Sequence, residues 1–247
     1  MLGLRGRTQV RPLLLFLLAI FPLAAEDSLH AVSPNGKIDA ELSVEQQDQR
    51  TDSFVRLTYR VTYEGKPLID TSYLGLWIRA QEPILGENLG LMDSKRLDGT
   101  GYRGFLGEYM QNGSLAKEIR VEFRAYDEGV AFRYIIPRGT SLDHFLIESD
   151  ESQFHFAKDT PLQLLAPPPL MIEQKGVAWV RLEEVHLEGT PKIAFEKRGP
   201  NLLGIKFILP PEEIGLDRPA PFTGPWRVIT IAPSQDQLHP SLAERLR

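Results

Sequence analysis

Residues 121–137 read VEFRAYDEGVAFRYIIP. Apolar and polar side chains alternate on both sides of Asp127-Glu128-Gly129, a pattern typical of two half-buried strands joined by a tight turn. Gly129 can adopt the left-handed backbone conformation that a three-residue hairpin loop needs. The stretch therefore predicts a β-hairpin. The side chains predicted to share one core are Phe123, Val130, Phe132 and Tyr134.

Hairpin signals recur along the rest of the chain. Turns are predicted at Asn35-Gly36 and Glu64-Gly65, each followed or preceded by alternating apolar residues. Further strand candidates are LGLWI, VAWVRL, KIAFEK, LLGIKFIL and WRVITIA. No segment before residue 235 has a sustained helical period, and only SQDQLHPSLAERLR is compatible with a short helix. This spacing predicts an all-β sandwich, with more than a dozen strands in two packed antiparallel sheets.

The N-terminal residues have the pattern of a secretory signal peptide. Three arginines precede the apolar run LLLFLLAIFPLAA, which is too short to span a bilayer. We expect cleavage after Ala25 and a secreted or periplasmic protein without a membrane segment; an uncleaved anchor is the alternative. The chain has no cysteine, so neither a lipidated N-terminus nor a disulfide is expected.

Charge and length limit the function further. Without residues 1–25 the chain has 25 basic and 33 acidic residues and a formal charge of −8. An acidic chain of this kind argues against a nucleic-acid partner. About 220 residues remain, which suits one β domain. We predict a single sandwich over residues 26–234, followed by a short tail at 235–247.

Residues for familiar catalytic chemistry are not evident. There is no cysteine nucleophile, no G-x-S-x-G motif and no glycine-rich phosphate loop, and the five histidines are scattered. We therefore predict no catalytic residue and no cofactor-binding motif.

One acidic segment, RLEEVHLEG at 181–189, carries a possible site. The apolar residues before Glu183 occupy even-numbered positions, and those after Glu184 occupy odd-numbered positions. A flat strand cannot change faces in this way, so the pattern predicts a bulge or break at Glu183-Glu184. The pair is either a solvated acidic corner or a ligand site. Paired carboxylates suit calcium better than zinc.

Several segments together resemble the N-terminal domain of glycoside hydrolase family 97, the calcium-dependent α-glucosidases and α-galactosidases of bacterial polysaccharide use. In chain order they are SPNGKI, YEGKPLIDTSYLGL, LGENL, LGEY, VEFRAYDEGVAFRY, VAWVRLEEVHL, NLLGIKF and GPWRVITIA. The resemblance implies an antiparallel β-super-sandwich similar to galactose mutarotase, also called a glycoside-hydrolase-type carbohydrate-binding fold.

The resemblance also implies roles for particular residues. In full-length members the sandwich packs on a TIM barrel that carries the catalytic carboxylates, and it lends the shared site a calcium-binding glutamate. That glutamate lies in a segment written roughly I-x-E-A-x-L. In RLEEVHL we take Glu183 as the best match and Glu184 as a weaker candidate. Calcium is thus a possible cofactor, bound weakly or not at all without a barrel.

The chain departs from the family pattern after Trp226. About 20 residues follow it, whereas a TIM barrel takes about 250. Hydrolysis of a glycosidic bond needs two positioned carboxyl groups, and no such pair is evident. We expect an accessory sandwich that is not catalytic alone, with an α-glucoside or α-galactoside type carbohydrate or a TIM-barrel glycosidase as partner. The alternatives are the N-terminal part of a split or truncated α-glycosidase, or an interaction module that has lost sugar binding.

Overall fold

The structure is a computed structural model that describes residues 28–48, 53–113, 117–239 and 241–247; the predicted signal peptide lies outside the described residues. The strands are β1 (Ser28–Val32), β2 (Ile38–Asp48), β3 (Ser53–Tyr63), β4 (Lys66–Tyr73), β5 (Leu76–Ile78), β6 (Leu89–Gly99), β7 (Tyr102–Gln111), β8 (Lys117–Tyr126), β9 (Gly129–Ile136), β10 (His144–Asp150), β11 (Gln153–Phe156), β12 (Leu165–Ala166), β13 (Leu170–Gln174), β14 (Ala178–Val185), β15 (Lys192–Lys197), β16 (Leu202–Ile208), β17 (Leu216–Pro219), β18 (Phe222–Thr223) and β19 (Trp226–Ala232). A 3₁₀ turn, Gln235–Gln237, and helix α1, Ser241–Arg245, follow.

The strands form three sheets. The first sheet has the order β1-β2-β3-β4-β11-β16-β15-β12, and the second has the order β13-β14-β19-β9-β8-β7-β6, with β18 also paired to β9. A small third sheet has the order β17-β10-β5. Every strand pairing in the described part of the chain is antiparallel. The all-β sandwich is confirmed, and the third sheet is an addition to the two that the sequence predicted.

The opening stretch forms the β8–β9 hairpin, with a shorter loop than predicted. Tyr126 pairs with Gly129, so the loop consists of Asp127 and Glu128 alone. Position 129 needs a residue without a side chain, because a Cβ there would lie 2.3 Å from the carbonyl oxygen of Ile229 on the neighbouring strand β19. The predicted three-residue loop was therefore wrong, although the position of the turn was right.

The main core lies between the two large sheets. The ring of Phe123 stacks between those of Phe105 and Phe132, at centroid distances of 5.6 and 5.2 Å. Tyr59, from the first sheet, packs against Phe132 at 5.4 Å, and aromatic contacts of this kind dominate a core of this size. The predicted core residues Phe123, Val130, Phe132 and Tyr134 are all buried in this cluster, as expected.

A second, smaller core covers the outer face of the second sheet. Its buried residues are Tyr126, Ala131, Val185, Trp226, Val228, Leu242 and Ala243. Helix α1 contributes the last two, so residues 241–245 form a helical stub, as the sequence allowed, and this stub packs on β14 and β19. Among the described residues, no helix is long and apolar enough to cross a membrane.

Candidate functional site

Strand β14 carries both candidate glutamates, and it is regular. Its register with β19 runs without a shift from the pair Trp179 and Ala232 to the pair Val185 and Trp226. The predicted bulge at Glu183-Glu184 was therefore wrong. The apolar residues change faces because Val185 packs into the outer core under α1, whereas Leu182 faces the main core.

Glu183 lies on the outer face of β14. Arg181, two residues earlier on the same face, donates from Nη2 to Glu183 Oε1 at 2.8 Å, and its Nε lies 2.7 Å from Oε2. The side chain of Glu183 is 9% exposed. The carboxylate is thus engaged by a guanidinium, beside α1 and away from the main core.

Glu184 points to the opposite face, because successive strand residues alternate. Its carboxylate accepts a hydrogen bond from Arg227 Nη1, and Arg227 Nη2 donates to Asp150 Oδ2 at 2.6 Å. All three side chains are at most 5% exposed. Glu183 and Glu184 therefore do not converge on one ion in this conformation. We call Asp150, Glu184 and Arg227 the ionic cluster.

Hydrogen bonds from three segments fix the ionic cluster. Asp150 Oδ1 accepts from the backbone N–H of Ser152 at 2.9 Å. The Ser152 hydroxyl is 2.7 Å from the Tyr134 hydroxyl, which also accepts from the backbone N–H of Gly75 at 2.9 Å. Burial and the nearby Asp150 carboxylate raise the pKa of Tyr134 well above its usual value, so this hydroxyl stays protonated at neutral pH.

Arg227 is charged in this setting. Burial lowers the pKa of a guanidinium, but Asp150 and Glu184 outweigh that effect and raise the pKa of Arg227 above its ordinary value. Two carboxylates then face one guanidinium, which leaves the ionic cluster with a net negative charge when both are ionised. Buried ion groups of this kind depend on complete pairing.

The three residues of the ionic cluster line a pocket to which all three sheets contribute, and we call it the junction pocket. It is lined by Leu76, Tyr134, Ile147, Asp150, Glu184, Thr190, Pro191, Phe207, Leu216, Phe222, Gly224, Pro225 and Arg227. The pocket is narrow, with room for a water molecule and not for a sugar ring. Its walls are mostly apolar, and the three charged side chains are shielded from solvent.

The junction pocket suits a positively charged or hydrogen-bond-donating group. Arg227 holds Glu184 through Oε2, whereas Oε1 faces His186 Nδ1 at 3.5 Å. Both oxygens of Glu184 thus lie beside a side chain that can carry positive charge. Within the described residues no group of three or more histidines, aspartates or glutamates is placed to hold a metal.

Sequence reasoning identified only part of this site. Asp150 and Tyr134 have no local motif that marks them, and Asp150 lies 77 positions from Arg227 in sequence. Arg227 lies inside GPWRVITIA, one of the segments that carry the family resemblance, but nothing in that segment marks it as part of a charged site. The spacing of Leu182 and Leu187 also fits I-x-E-A-x-L with its glutamate at Glu184. The structure places Glu184, and not Glu183, in the junction pocket, and which of the two binds calcium stays a prediction.

The fold and the pocket define an antiparallel β-sandwich domain with an acidic site at its sheet junction. The family described as Glycosyl-hydrolase 97 N-terminal matches residues 31–166, more than half of the chain. The chain therefore belongs to the glycosyl-hydrolase 97 N-terminal family, which confirms the resemblance drawn from the sequence. A comparison with curated protein sequences gave no match.

Solved structures share the fold. A family 97 glycoside hydrolase from Pseudoalteromonas sp. strain K8, in complex with acarbose, superposes with a TM-score of 0.68 at 16% identity. A single-residue variant of that enzyme gives 0.70 at 16% identity; each match covers 83% of this chain and 36% of that enzyme. A β-arabinopyranosidase gives 0.65 at 18% identity and covers 83% of this chain and 40% of that one. The chain thus spans well under half the length of these enzymes.

Proposed function

We propose that the chain is an accessory β-sandwich of carbohydrate metabolism, which binds carbohydrate and completes the site of a TIM-barrel glycosidase partner. The observation that carries the proposal is the junction pocket: a fixed, buried, net-negative cluster in a domain of the glycosyl-hydrolase 97 N-terminal family. The solved relatives named for acarbose and panose complexes support a carbohydrate context.

The shape of the junction pocket favours a role shared with a partner. A pocket that encloses a sugar usually has several hundred cubic ångströms of space, and this one accommodates about one water molecule. A buried charge cluster that opens onto such a narrow pocket is suited to contact a partner's groups at its mouth. The sandwich would then contribute one wall and the partner the rest.

Calcium fits the junction pocket only in part. The ion takes six to eight oxygen ligands. Glu184 would supply one carboxylate oxygen, but Arg227 holds both it and Asp150, and a guanidinium repels a cation. A bound calcium would supply positive charge to the shared site. The residues of this chain would orient Glu184 toward it, and most ligands would come from the partner.

Secretion is part of the proposal and is supported by the basic and apolar N-terminal segment. Mass spectrometry of the exported protein should find a mature chain that begins at Glu26. A full-length mass, or retention of the protein in the cytoplasm, would contradict this part.

The carbohydrate and partner roles can be tested together with the purified mature chain. Calorimetric titration with panose, maltotriose and melibiose should give weak binding to at least one sugar. Aryl α-glucosides and α-galactosides should not be hydrolysed, with or without calcium, because the proposal assigns both carboxyl groups needed for hydrolysis to the barrel partner. Turnover that Glu184→Gln abolishes would contradict the accessory role, and so would an absence of binding to every sugar and to a family 97 barrel domain.

A further inference from the structure

An open cleft lies on the other side of β5 from the narrow junction pocket. Leu76 lines the junction pocket and is buried, whereas the next residue, Trp77, points to the opposite face and is 40% exposed. Trp77 borders an open cleft of about 480 Å³, which we call the Trp77 cleft. Its other lining residues are Gln81, Glu82, Pro83, Ile84, Glu87 and Asn88.

The loop that forms the Trp77 cleft is held firmly. Buried Gln111 donates from Nε2 to the backbone carbonyls of Ile84 and Glu87 at 2.8 and 2.9 Å, and to that of Pro83 at 3.3 Å. At Gly86 a Cβ would lie 2.3 Å from the carbonyl oxygen of Leu74, so the loop backbone packs directly on the segment before β5. The cleft is therefore preformed, which lowers the entropic cost of binding a ligand.

Several polar groups of the Trp77 cleft have no partner inside the described part of the protein. Among the described residues, the side chains of Gln81, Glu82 and Asn88 make no hydrogen bond to another residue. Glu87 differs, because Arg56 pairs with it. The cleft thus combines one exposed aromatic face with free amide and carboxylate groups beside it.

These groups suit a neutral saccharide. A sugar ring presents a face of C–H groups that can lie on an indole, and hydroxyls at its edge that pair with amides and carboxylates. Of the described side chains that line the cleft, only Glu82 carries an unpaired charge, and its carboxylate disfavours phosphate, sulfate and uronic acids. We propose that the Trp77 cleft binds a neutral saccharide, at a position separate from the junction pocket; the inference rests on the proposed carbohydrate role.

The mature chain labelled with ¹⁵N provides a direct test, because its three tryptophans give three separate indole N–H signals. Titration with panose should shift the Trp77 signal and leave those of Trp179 and Trp226 in place. Trp77→Ala should weaken panose affinity by about tenfold or more, since loss of one aromatic contact is commonly this large. Gln81→Ala should weaken it less. Trp179→Ala, at another partly exposed tryptophan, should leave the affinity unchanged.

The outcomes separate this inference from the proposed function. If panose binds with equal affinity to the chain and to Trp77→Ala, the carbohydrate role stands and the Trp77 cleft is not the site. If Trp179→Ala abolishes binding instead, the inference is overturned in the same way. If none of panose, maltotriose and melibiose binds the unaltered chain, the carbohydrate role and the inference both fail.

Discussion

Oδ2 of Asp150 on β10 lies 2.6 Å from Nη2 of Arg227 on β19, and both side chains are at most 5% exposed. β10 belongs to the three-stranded sheet and β19 to one of the large sheets. The ion pair therefore links the small sheet to a large sheet at the junction pocket. Glu184 shares the same guanidinium, so Arg227 joins β10, β14 and β19 at the junction pocket, in addition to the apolar packing of Phe145, Ile147 and Leu216 in the main core.

Replacement of Arg227 should lower the free energy of unfolding. Arg227→Met leaves two buried carboxylates without a counter-charge, and loss of one partner of a buried ion pair costs about 3–5 kcal/mol. We expect the free energy of unfolding in urea to fall by that amount. Arg96→Met is the matched control, because Arg96 pairs with Asp98 at the surface, where it is 70% exposed, and this change should have little effect. Equal stability of the two variants would show that the cluster does not hold the small sheet.

Stability should decline in alkaline solution. Burial raises the pKa of both Tyr59 and Tyr134 well above 10.0, so the folded chain keeps protons that the unfolded chain releases. The folded state then binds more protons, and its stability, complete below about pH 10, is lost as the pH rises toward the folded-state pKa values. Each such tyrosine adds a slope of about 1.4 kcal/mol per pH unit above pH 10.

Tyr59→Phe should remove one tyrosine's share of the dependence of the unfolding free energy on pH, which corresponds to one bound proton. Urea unfolding between about pH 9 and 11.5 would measure this change. Tyr63→Phe is the comparison at a tyrosine of the same strand. An identical slope in the unaltered chain and in Tyr59→Phe would mean that this hydroxyl ionises in the folded protein.

The strands could be predicted from sequence because alternation and turn chemistry are local. Ile38, Leu57, Tyr59 and Phe132 are buried where the period-two pattern placed them, and the Asn35-Gly36 and Glu64-Gly65 turns join the strands as expected. The change of faces at Val185 was also visible, but its cause was not. An outer core under α1 produces the same pattern as a bulge, and only tertiary structure distinguishes the two.

The candidate site was predictable only in part, because its residues meet through long-range pairing. Glu184 could be singled out as one of two acidic neighbours, and strand alternation alone places them on opposite faces. Asp150 reaches Arg227 only because β10 of the small sheet packs near β19 of a large sheet. The exposure of Trp77 likewise follows only from the structure, in which its neighbours Leu76 and Ile78 are buried and Trp77 faces the other way.

The hairpin that begins the sequence argument can be tested at its glycine. Gly129→Ala would place a Cβ 2.3 Å from the Ile229 carbonyl oxygen, which requires β9 and β19 to separate. We expect a loss of at least about 2 kcal/mol in the free energy of unfolding, typical of backbone strain and overpacking. Gly90→Ala, where a Cβ would meet nothing within 4 Å, should change stability little. A melting temperature for Gly129→Ala that matches that of Gly90→Ala would contradict the close approach.

The outer core can be tested at α1. Leu242 is fully buried against the second sheet, so Leu242→Ala should cost about 2–5 kcal/mol, the usual range for a large-to-small change in a core. Leu164→Ala is the control, since Leu164 is 81% exposed. A neutral result for Leu242→Ala would mean that α1 is not docked in solution.

We expect calcium binding to distinguish the two glutamates of β14. In the isolated chain, millimolar calcium should raise the melting temperature by no more than a degree or two, because stabilisation follows RT ln(1 + [L]/Kd) and is small near the dissociation constant.

A family 97 barrel domain added in trans should create a tighter site, measured as calcium-dependent complex formation by calorimetry. Glu184→Gln should abolish that dependence, since Glu184 lies in the junction pocket beside Arg227. Glu183→Gln should preserve it, because Glu183 lies on the outer face with Arg181. If Glu183→Gln abolishes the calcium dependence and Glu184→Gln preserves it, the calcium role belongs to Glu183. If calcium raises the melting temperature of the isolated chain by much more than two degrees, this chain supplies enough ligands alone.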